Sequence, residues 1–475
     1  MQQLRRSLFC GLLVFLSLGA AVNLHAKNRK VYPTMTRAAI QSVIDLAKNG
    51  DEIVFYAGTY DFSDTPFSNP PWGSGGALIV TNKSLTFTAK TGTILMGAAS
   101  TLDPTSGYGT SGIIAFNVMN SASKDISFYN FTFQKFVIAI NSGIVISNDP
   151  DPAIGYVMAP SCRDFSVQNC TFQEIDRNAI STGGVQRNIL ILNNEITWSL
   201  RMGMYIDWYW VGDHLGSQPK LGKITIANND VHARTECVFI NRGYKMSIKS
   251  NTFDADGSDT MSTGLGIYGG AHAAGITKNN FTNLTYGLDL NGEKKVVGTS
   301  VYSYPMTLCN ITYNTVIAEG GIFLGNDPCH DNTVAYNTIA LGGPDAWGIS
   351  TIGGYNDTIT NNNISGYGIV AIDVEGYDDT SSGGFMAQAH NEYFAANNVK
   401  KFTATEVGVD YYMNPLTHDN KAIGICYANA IYNANYYDEG VNNKFKCIYP
   451  VGTLAYLNGF QLSKRSRSDR KPLTN

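Results

Sequence analysis

Asparagine recurs along this chain with a period. Aligning on an apolar residue that follows Asn-Asn, Asn-Thr or a close variant gives ten sites. They are Asn130-Phe-Thr-Phe133, Asn169-Cys-Thr-Phe172, Asn193-Asn-Glu-Ile196, Asn228-Asn-Asp-Val231, Ser250-Asn-Thr-Phe253, Lys278-Asn-Asn-Phe281, Tyr313-Asn-Thr-Val316, Tyr336-Asn-Thr-Ile339, Asn361-Asn-Asn-Ile364 and Ala396-Asn-Asn-Val399. The apolar anchors lie 39, 24, 35, 22, 28, 35, 23, 25 and 35 residues apart, so the short steps cluster at 22–25 and the longer ones carry insertions. Runs such as Lys223-Ile-Thr-Ile226 and Thr333-Val-Ala335 alternate with period 2, which marks strands. Three short strands and their turns fill one such step. A coil of this size cannot bury its own inner face, so coils must stack at ~4.8 Å per rung around a shared interior. The expected fold is all-β, a parallel β-helix solenoid. Asn tolerates the left-handed backbone of a sharp corner, and its amide can bond to the equivalent Asn one rung away, which accounts for the column. The Asn-x-Thr and Asn-x-Ser strings at Asn130, Asn169, Asn280, Asn283, Asn310 and Asn363 fall on or near this repeat and are read as ladder rather than glycosylation acceptors.

Composition supports a packed interior: 44% of residues are hydrophobic, too many for a disordered chain, and the 48 glycines follow no triplet period. The N-terminus reads as a secretory signal peptide over 1–26, with Arg5 and Arg6, an apolar run from Leu8 to Val22 and Ala26 at the cleavage point. The protein is therefore expected outside the cytoplasm, secreted or periplasmic. No later run is long and apolar enough to span a bilayer. Removing Arg5 and Arg6 takes the formal net charge from −4 to −6, a poor balance for nucleic-acid binding. Lys464, Arg465, Arg467, Arg470 and Lys471 form a basic tail over 461–475, expected to be disordered. Seven cysteines remain, scattered and odd in number, and most are expected as small core residues; Cys426 and Cys447 are spaced to stack on successive rungs. A single domain over 27–460, monomeric, is expected.

Ahead of the repeats, Thr36 is placed to cap a helix over about 36–49 in which Ile40, Val43, Ile44 and Ala47 share one face, with Gly50 as its stop. Such a helix would cover the open end of the solenoid, with the coil running from about 51 to 460. The string Ile40-Gln41-x-x-Ile44-Asp45-x-Ala47-x-x-Gly50-Asp51-x-Ile53-Val54-x-x-x-Gly58-Thr59-Tyr60, followed by Asn-anchored rungs, resembles the right-handed parallel β-helix proteins of the pectate-lyase-like superfamily. The resemblance covers about 31–460 and concerns the fold. Members of that superfamily include exported polysaccharide lyases, glycoside hydrolases and uronate epimerases. The hydrolase strings Asn-Thr-Asp, Asp-Asp and Gly-His-Gly do not occur as a set. The epimerase string Asp-Pro-His-Asp is interrupted here as Asp327-Pro328-Cys329-His330-Asp331; His330-Asp331-Asn332 recurs as His418-Asp419-Asn420, which favours a turn.

A second alignable strand precedes the longest insertions and predicts an outward column of Tyr205, Asp207, Phe239, Asn241, Tyr268, Asp289 and Asn291. Trp208 and Trp210, Arg242 and Lys245, and His272 follow on successive rungs. β-Elimination on a uronate-containing glycan needs its carboxylate neutralised and a matched base for the C5 proton. Arg242 and Lys245 are candidate neutraliser and base, Tyr268 and His272 alternative acid or base. Asp207, Trp208, Trp210, Asn241 and Asn291 are candidate substrate contacts, with Ca²⁺ as an alternative neutraliser and no other cofactor implied. A polysaccharide lyase is the leading reading. A glycoside hydrolase using a pair such as Asp207 and Asp289, or a non-catalytic carbohydrate-binding or surface protein, stays open. Asp327, His330, Asp373 and Glu375 on later rungs are held in reserve.

Overall fold

The structure, a computed structural model, describes residues 26–448 except 67–74, 99–100, 103–108, 120–123, 144, 149–155, 159–161, 209–222, 256–260, 298–299, 326–328, 344–345, 379–385 and 426–435. Residues 1–25 of the expected signal peptide and the basic tail lie outside the described residues. Among the described residues no helix is long and apolar enough to cross a membrane.

The repeat folds as its period requires. Each strand pairs in parallel with its equivalent one coil later, and the coil has three such faces. One register runs Phe116, Ile140, Ile180, Met204, Val238, Leu265, Leu288, Ile322, Ile349 and Ile372 across successive rungs. All ten are 0% exposed, so a single interior column runs through ten coils. The early rungs fill this interior with rings: Phe87 stacks on Phe128 at 5.1 Å and Phe133 on Phe172 at 5.1 Å. Later rungs use aliphatic side chains.

The corner asparagines divide their work between two adjacent positions, where the sequence pattern predicts one. Asn130, Asn169, Asn193, Asn228, Ser250, Lys278, Tyr313, Tyr336, Asn361 and Ala396 hold φ between 53° and 65°. The left-handed residue faces outward, so Lys, Tyr and Ala substitute for Asn there despite a modest backbone cost. From Asn194 onward the next residue is a buried Asn. The backbone N–H of Asn194, Asn229, Asn251, Asn279, Asn314 and Asn337 donates to the Oδ1 of the next such Asn at 2.9–3.0 Å. Their own amides donate to backbone carbonyls, as Asn337 does to Ile311 at 2.9 Å. An unpaired buried backbone donor is thereby satisfied at each coil. The His-Asp-Asn strings are such corners: Asp331 and Asp419 have φ 57° and 56°.

The capping helix spans Arg37–Leu46, with Thr36 Oγ1 accepting from Ala39 N–H at 3.3 Å and Ile40 and Ile44 buried. It ends at Ala47, three residues before Gly50, whose φ of 87° belongs to the turn into the next strand. Gln41 pairs with the backbone of Ile79 in both directions, at 2.8 and 2.9 Å, so a side-chain amide takes the place of a neighbouring strand on that edge. Lys83 Nζ donates to the carbonyls of Ile44, Asp45 and Ala47, closing the helix C-terminus. The coil starts earlier than expected: Asn28–Val31, ahead of the helix, pairs with Glu52–Phe55.

Cys162, Cys170, Cys237, Cys309 and Cys329 are buried free thiols, as small core residues should be. Cys447 lies in register with Gly424, not with Cys426, which is outside the described residues.

Candidate functional site

One outer face collects the polar and aromatic side chains. Its register runs Tyr205, Phe239, Gly266, Asp289, Phe323, Ser350, Asp373. Tyr205 stacks on Phe239 at 5.0 Å, and Phe239 on Tyr268 at 5.2 Å. Tyr268 belongs two residues further along its strand, but its ring folds back over Gly266; a Cβ there would sit 2.6 Å from Tyr268 Cε2. Only glycine leaves that slot open.

The folded-back ring carries its hydroxyl between two carboxyl groups. Tyr268 Oη donates to Asp289 Oδ2 at 2.7 Å and lies 3.3 Å from Glu236 Oε1. Asn291 Nδ2 donates to Asp289 Oδ1 at 2.6 Å. Both oxygens of Asp289 thus accept, the pattern of an ionised carboxylate. Glu236 is different. Its Oε2 is buried without a hydrogen-bond partner. Burial pushes its carboxyl up to about 7, with the nearby Asp289 charge adding to the rise and Tyr268 and Arg201 opposing it. Burial also pushes the Tyr268 phenol well up, reinforced by both acids, so of the two roles expected of it, acid or base, Tyr268 is placed as a donor.

A second carboxyl group of residues lies further along the same face. Asp373 Oδ2 accepts from Ser350 Oγ at 3.1 Å, and burial pushes Asp373 up to about 8, with Glu375 adding to it. Tyr412 Oη donates to Glu439 Oε2 at 3.3 Å. Between the two groups, Tyr286 and Trp347 stack at 5.8 Å across Gly320, and Phe323 lies 5.6 Å from Trp347.

Of the predicted residues, Tyr268, Asn241 and Asn291 share this face, with Asn241 in register beside Tyr268. Asn291 is buried at 5% exposure and serves Asp289 rather than solvent. His272 and Lys245 come together elsewhere. Past a bend at Gly269 and Gly270, with φ of 77° and 85°, His272 stacks on Tyr244 at 5.5 Å and its Nδ1 lies 3.1 Å from Thr307 Oγ1. Lys245 is an exposed corner residue with φ 49° and its Nζ 5.2 Å from the centroid of the Tyr244 ring. Asp207 and Trp208 close the strand Met202–Trp208, and Arg242 lies within Glu236–Tyr244, but their side chains fall outside what is described. Trp210 and Asp327 lie outside the described residues. Among the described residues no group of three or more His, Cys, Asp or Glu is placed to hold a metal ion.

Glu236 is the residue that sequence reasoning missed. Alternation counted back from Phe239 places Cys237 outward and Glu236 inward. Cys237 and Val238 are both buried instead, so strict alternation fails at the start of this strand, and the Glu236 side chain reaches the Tyr268 hydroxyl on the face.

By sequence, the chain matches no family model and no curated protein. By structure it is similar to a tailspike protein double mutant of E. coli bacteriophage HK620, at TM-score 0.52 and 10% identity over 88% of this chain and 76% of that one. A tailspike mutant of the same phage in complex with a hexasaccharide matches at TM-score 0.50 and 9% identity, over 87% and 75%. The A-module of a mannuronan C-5 epimerase from Azotobacter vinelandii matches at TM-score 0.46 and 12% identity, over 87% and 95%. The chain is a right-handed parallel β-helix, the fold of the pectate-lyase-like superfamily.

Proposed function

We propose that this protein is a carbohydrate-active β-helix that cleaves a glycan by hydrolysis at the Glu236–Asp289 pair. The observation that carries this reading is one phenol hydroxyl touching both carboxyl groups, one of them orphaned and pushed up to about 7, the other accepting on both oxygens. Glycoside hydrolysis needs that asymmetry: a protonated acid beside an ionised partner. Glu236 gives its proton to the glycosidic oxygen as the C1–O bond breaks, and Asp289 forms a bond to C1. Water then displaces Asp289 and returns a proton to Glu236. A single hydroxyl in contact with both groups spans less than the ~6.5–9.5 Å of an inverting pair, which favours retention of anomeric configuration. The tailspike likeness supports a long outer face as a place for an oligosaccharide; the chemistry rests on the carboxyl pair. The elimination reading loses support because Lys245 and His272, two of its four candidate residues, sit at the next corner.

The test is a glycan screen that follows reducing ends and ultraviolet absorbance together. Hydrolysis predicts new reducing ends without an unsaturated uronate. Glu236→Gln and Asp289→Asn should each lower turnover by roughly 10²-fold or more while the fold persists. The rate should fall as pH rises through about 7, because the proton that Glu236 donates is then lost. Unsaturated products, or full activity in both variants, would overturn the reading.

A further inference from the structure

A second corner of the solenoid carries its own buried ladder, and two of its members are acids. The column runs Cys309, Asn332, Asp357, Glu392, Asn420 and Asn443. The N–H of Cys309 donates to Asn332 Oδ1 at 3.0 Å, that of Asn332 to Asp357 Oδ1 at 2.7 Å, that of Glu392 to Asn420 Oδ1 at 2.9 Å and that of Asn420 to Asn443 Oδ1 at 3.0 Å. Where the residue is Asn, the amide nitrogen donates to a backbone carbonyl, as Asn332 does to Met306 and Asn420 to Ala389. At Asp357 and Glu392 an oxygen stands in the place of that donor.

Each acid has one oxygen satisfied and one not. Asp357 Oδ1 takes the Asn332 N–H, and Glu392 Oε2 takes the Thr351 hydroxyl at 2.9 Å. Asp357 Oδ2 and Glu392 Oε1 are buried without partners, in residues that are each 1% exposed. Both orphans converge on Gly354. A Cβ at that glycine would sit 2.5 Å from Glu392 Oε1 and 2.9 Å from Asp357 Oδ2, with the Cys329 carbonyl at 3.7 Å. Two buried acceptors directed at one point are both satisfied by a proton held between them.

We propose that Asp357 and Glu392 share a proton, which makes this corner of the solenoid a proton-binding clasp that holds its rungs together while protonated and loosens them when the proton leaves. The groups around the pair reinforce this. Burial raises both acids, Asp357 to about 7 and Glu392 well above the usual carboxylate range; Asp331 at the turn adds to the first and Asp357 to the second. On the packed strands, Cys329 and Cys309 are themselves held as thiols by burial and by Asp357. The pair titrates as a unit, so its two protons belong to the pair rather than to either residue. The sign follows. The folded state binds more protons than the unfolded one from the ordinary carboxylate range up to the raised one, so this clasp stabilises at mildly acidic pH and loses its contribution as pH rises through neutrality.

The test compares the full chain with Asp357→Asn and Glu392→Gln, following melting from about pH 5 to 9 and the protons released on unfolding near pH 7. Asp357→Asn restores the ladder's amide, which can donate to Glu392 Oε1. It should fold, melt with a shallower fall as pH rises, and release about one proton fewer; the infrared carbonyl band of a buried protonated carboxyl should weaken with it. Glu392→Gln should behave alike. Glu236 and Asp373 are intact in both, so their own contributions cancel. Proton release and band unchanged from the parent protein would overturn the proposal, as would failure of both variants to fold, since an amide fits the ladder.

Discussion

Tyr268 shows how much a single side chain depends on what its neighbour lacks. The ring reaches the carboxyl pair only because Gly266 leaves a slot in the aromatic stack. Tyr268→Phe keeps that stack and removes the hydroxyl, so stability should change by only about 1 kcal/mol. Turnover should fall by roughly tenfold as Asp289 loses one of its two donors. Because the Tyr268 hydroxyl opposes the rise at Glu236, its removal should also move the alkaline limb of the pH–rate profile upward. A limb that moves downward would show that Tyr268 is not what touches Glu236. The outward positions of Tyr268 and Asp289 were legible from period-2 alternation alone, whereas Asn291, also read as outward, is buried. Glu236 was not legible, because two successive buried residues, Cys237 and Val238, break the alternation from which its direction would be counted. His272 and Lys245 were joined to the site because they follow the face strands in sequence, but His272 lies past the bend at Gly269 and Gly270 and Lys245 sits at a corner.

At the scale of the element, the N-terminal cap combines a legible part with a hidden one. Thr36 and the apolar stripe of the helix are visible in sequence, since both act within a turn or two. The fasteners are not, because Gln41–Ile79 spans 38 residues and Lys83–Ile44 spans 39. Asp51 is the clearest case. Burial raises its carboxyl, but N–H groups of Lys48 at 2.9 Å and Lys27 at 3.0 Å and the Arg29 guanidinium at 2.6 Å outweigh this and bring it down to about 2. A depressed carboxylate contributes stability that is present above the unfolded value near 4 and lost as pH falls through about 2. Asp51→Asn should therefore cost on the order of 2 kcal/mol at neutral pH and flatten the acid limb of the melting curve between about pH 2 and 4. Equal acid sensitivity in variant and parent would place the loss elsewhere.

Over the whole molecule, the period in Asn and apolar anchors made the architecture readable at low cost, since every coil repeats the same information. Where it misled was in detail that repeats do not carry, such as the first rung ahead of the helix. Coils touch mainly their neighbours, so damage should stay local. Ile240 is 0% exposed and lies in register with Ile206 and Ile267. Ile240→Asp buries an unpaired charge at a cost of several kcal/mol. Hydrogen exchange should lose protection in the rungs beside it while the Phe87–Phe128 end keeps its own. Uniform loss along the chain would mean the solenoid melts as one unit. The same stacking has a mechanical side. Hydrogen bonds between rungs point along the axis while the chain runs across it, so tension between the ends opens coils in series. Each coil of about 22 residues would release roughly 75 Å of contour. The fastened N-terminal cap should resist that peeling at its own end, so the force at which the first coils open there reads the strength of the Gln41 and Lys83 contacts.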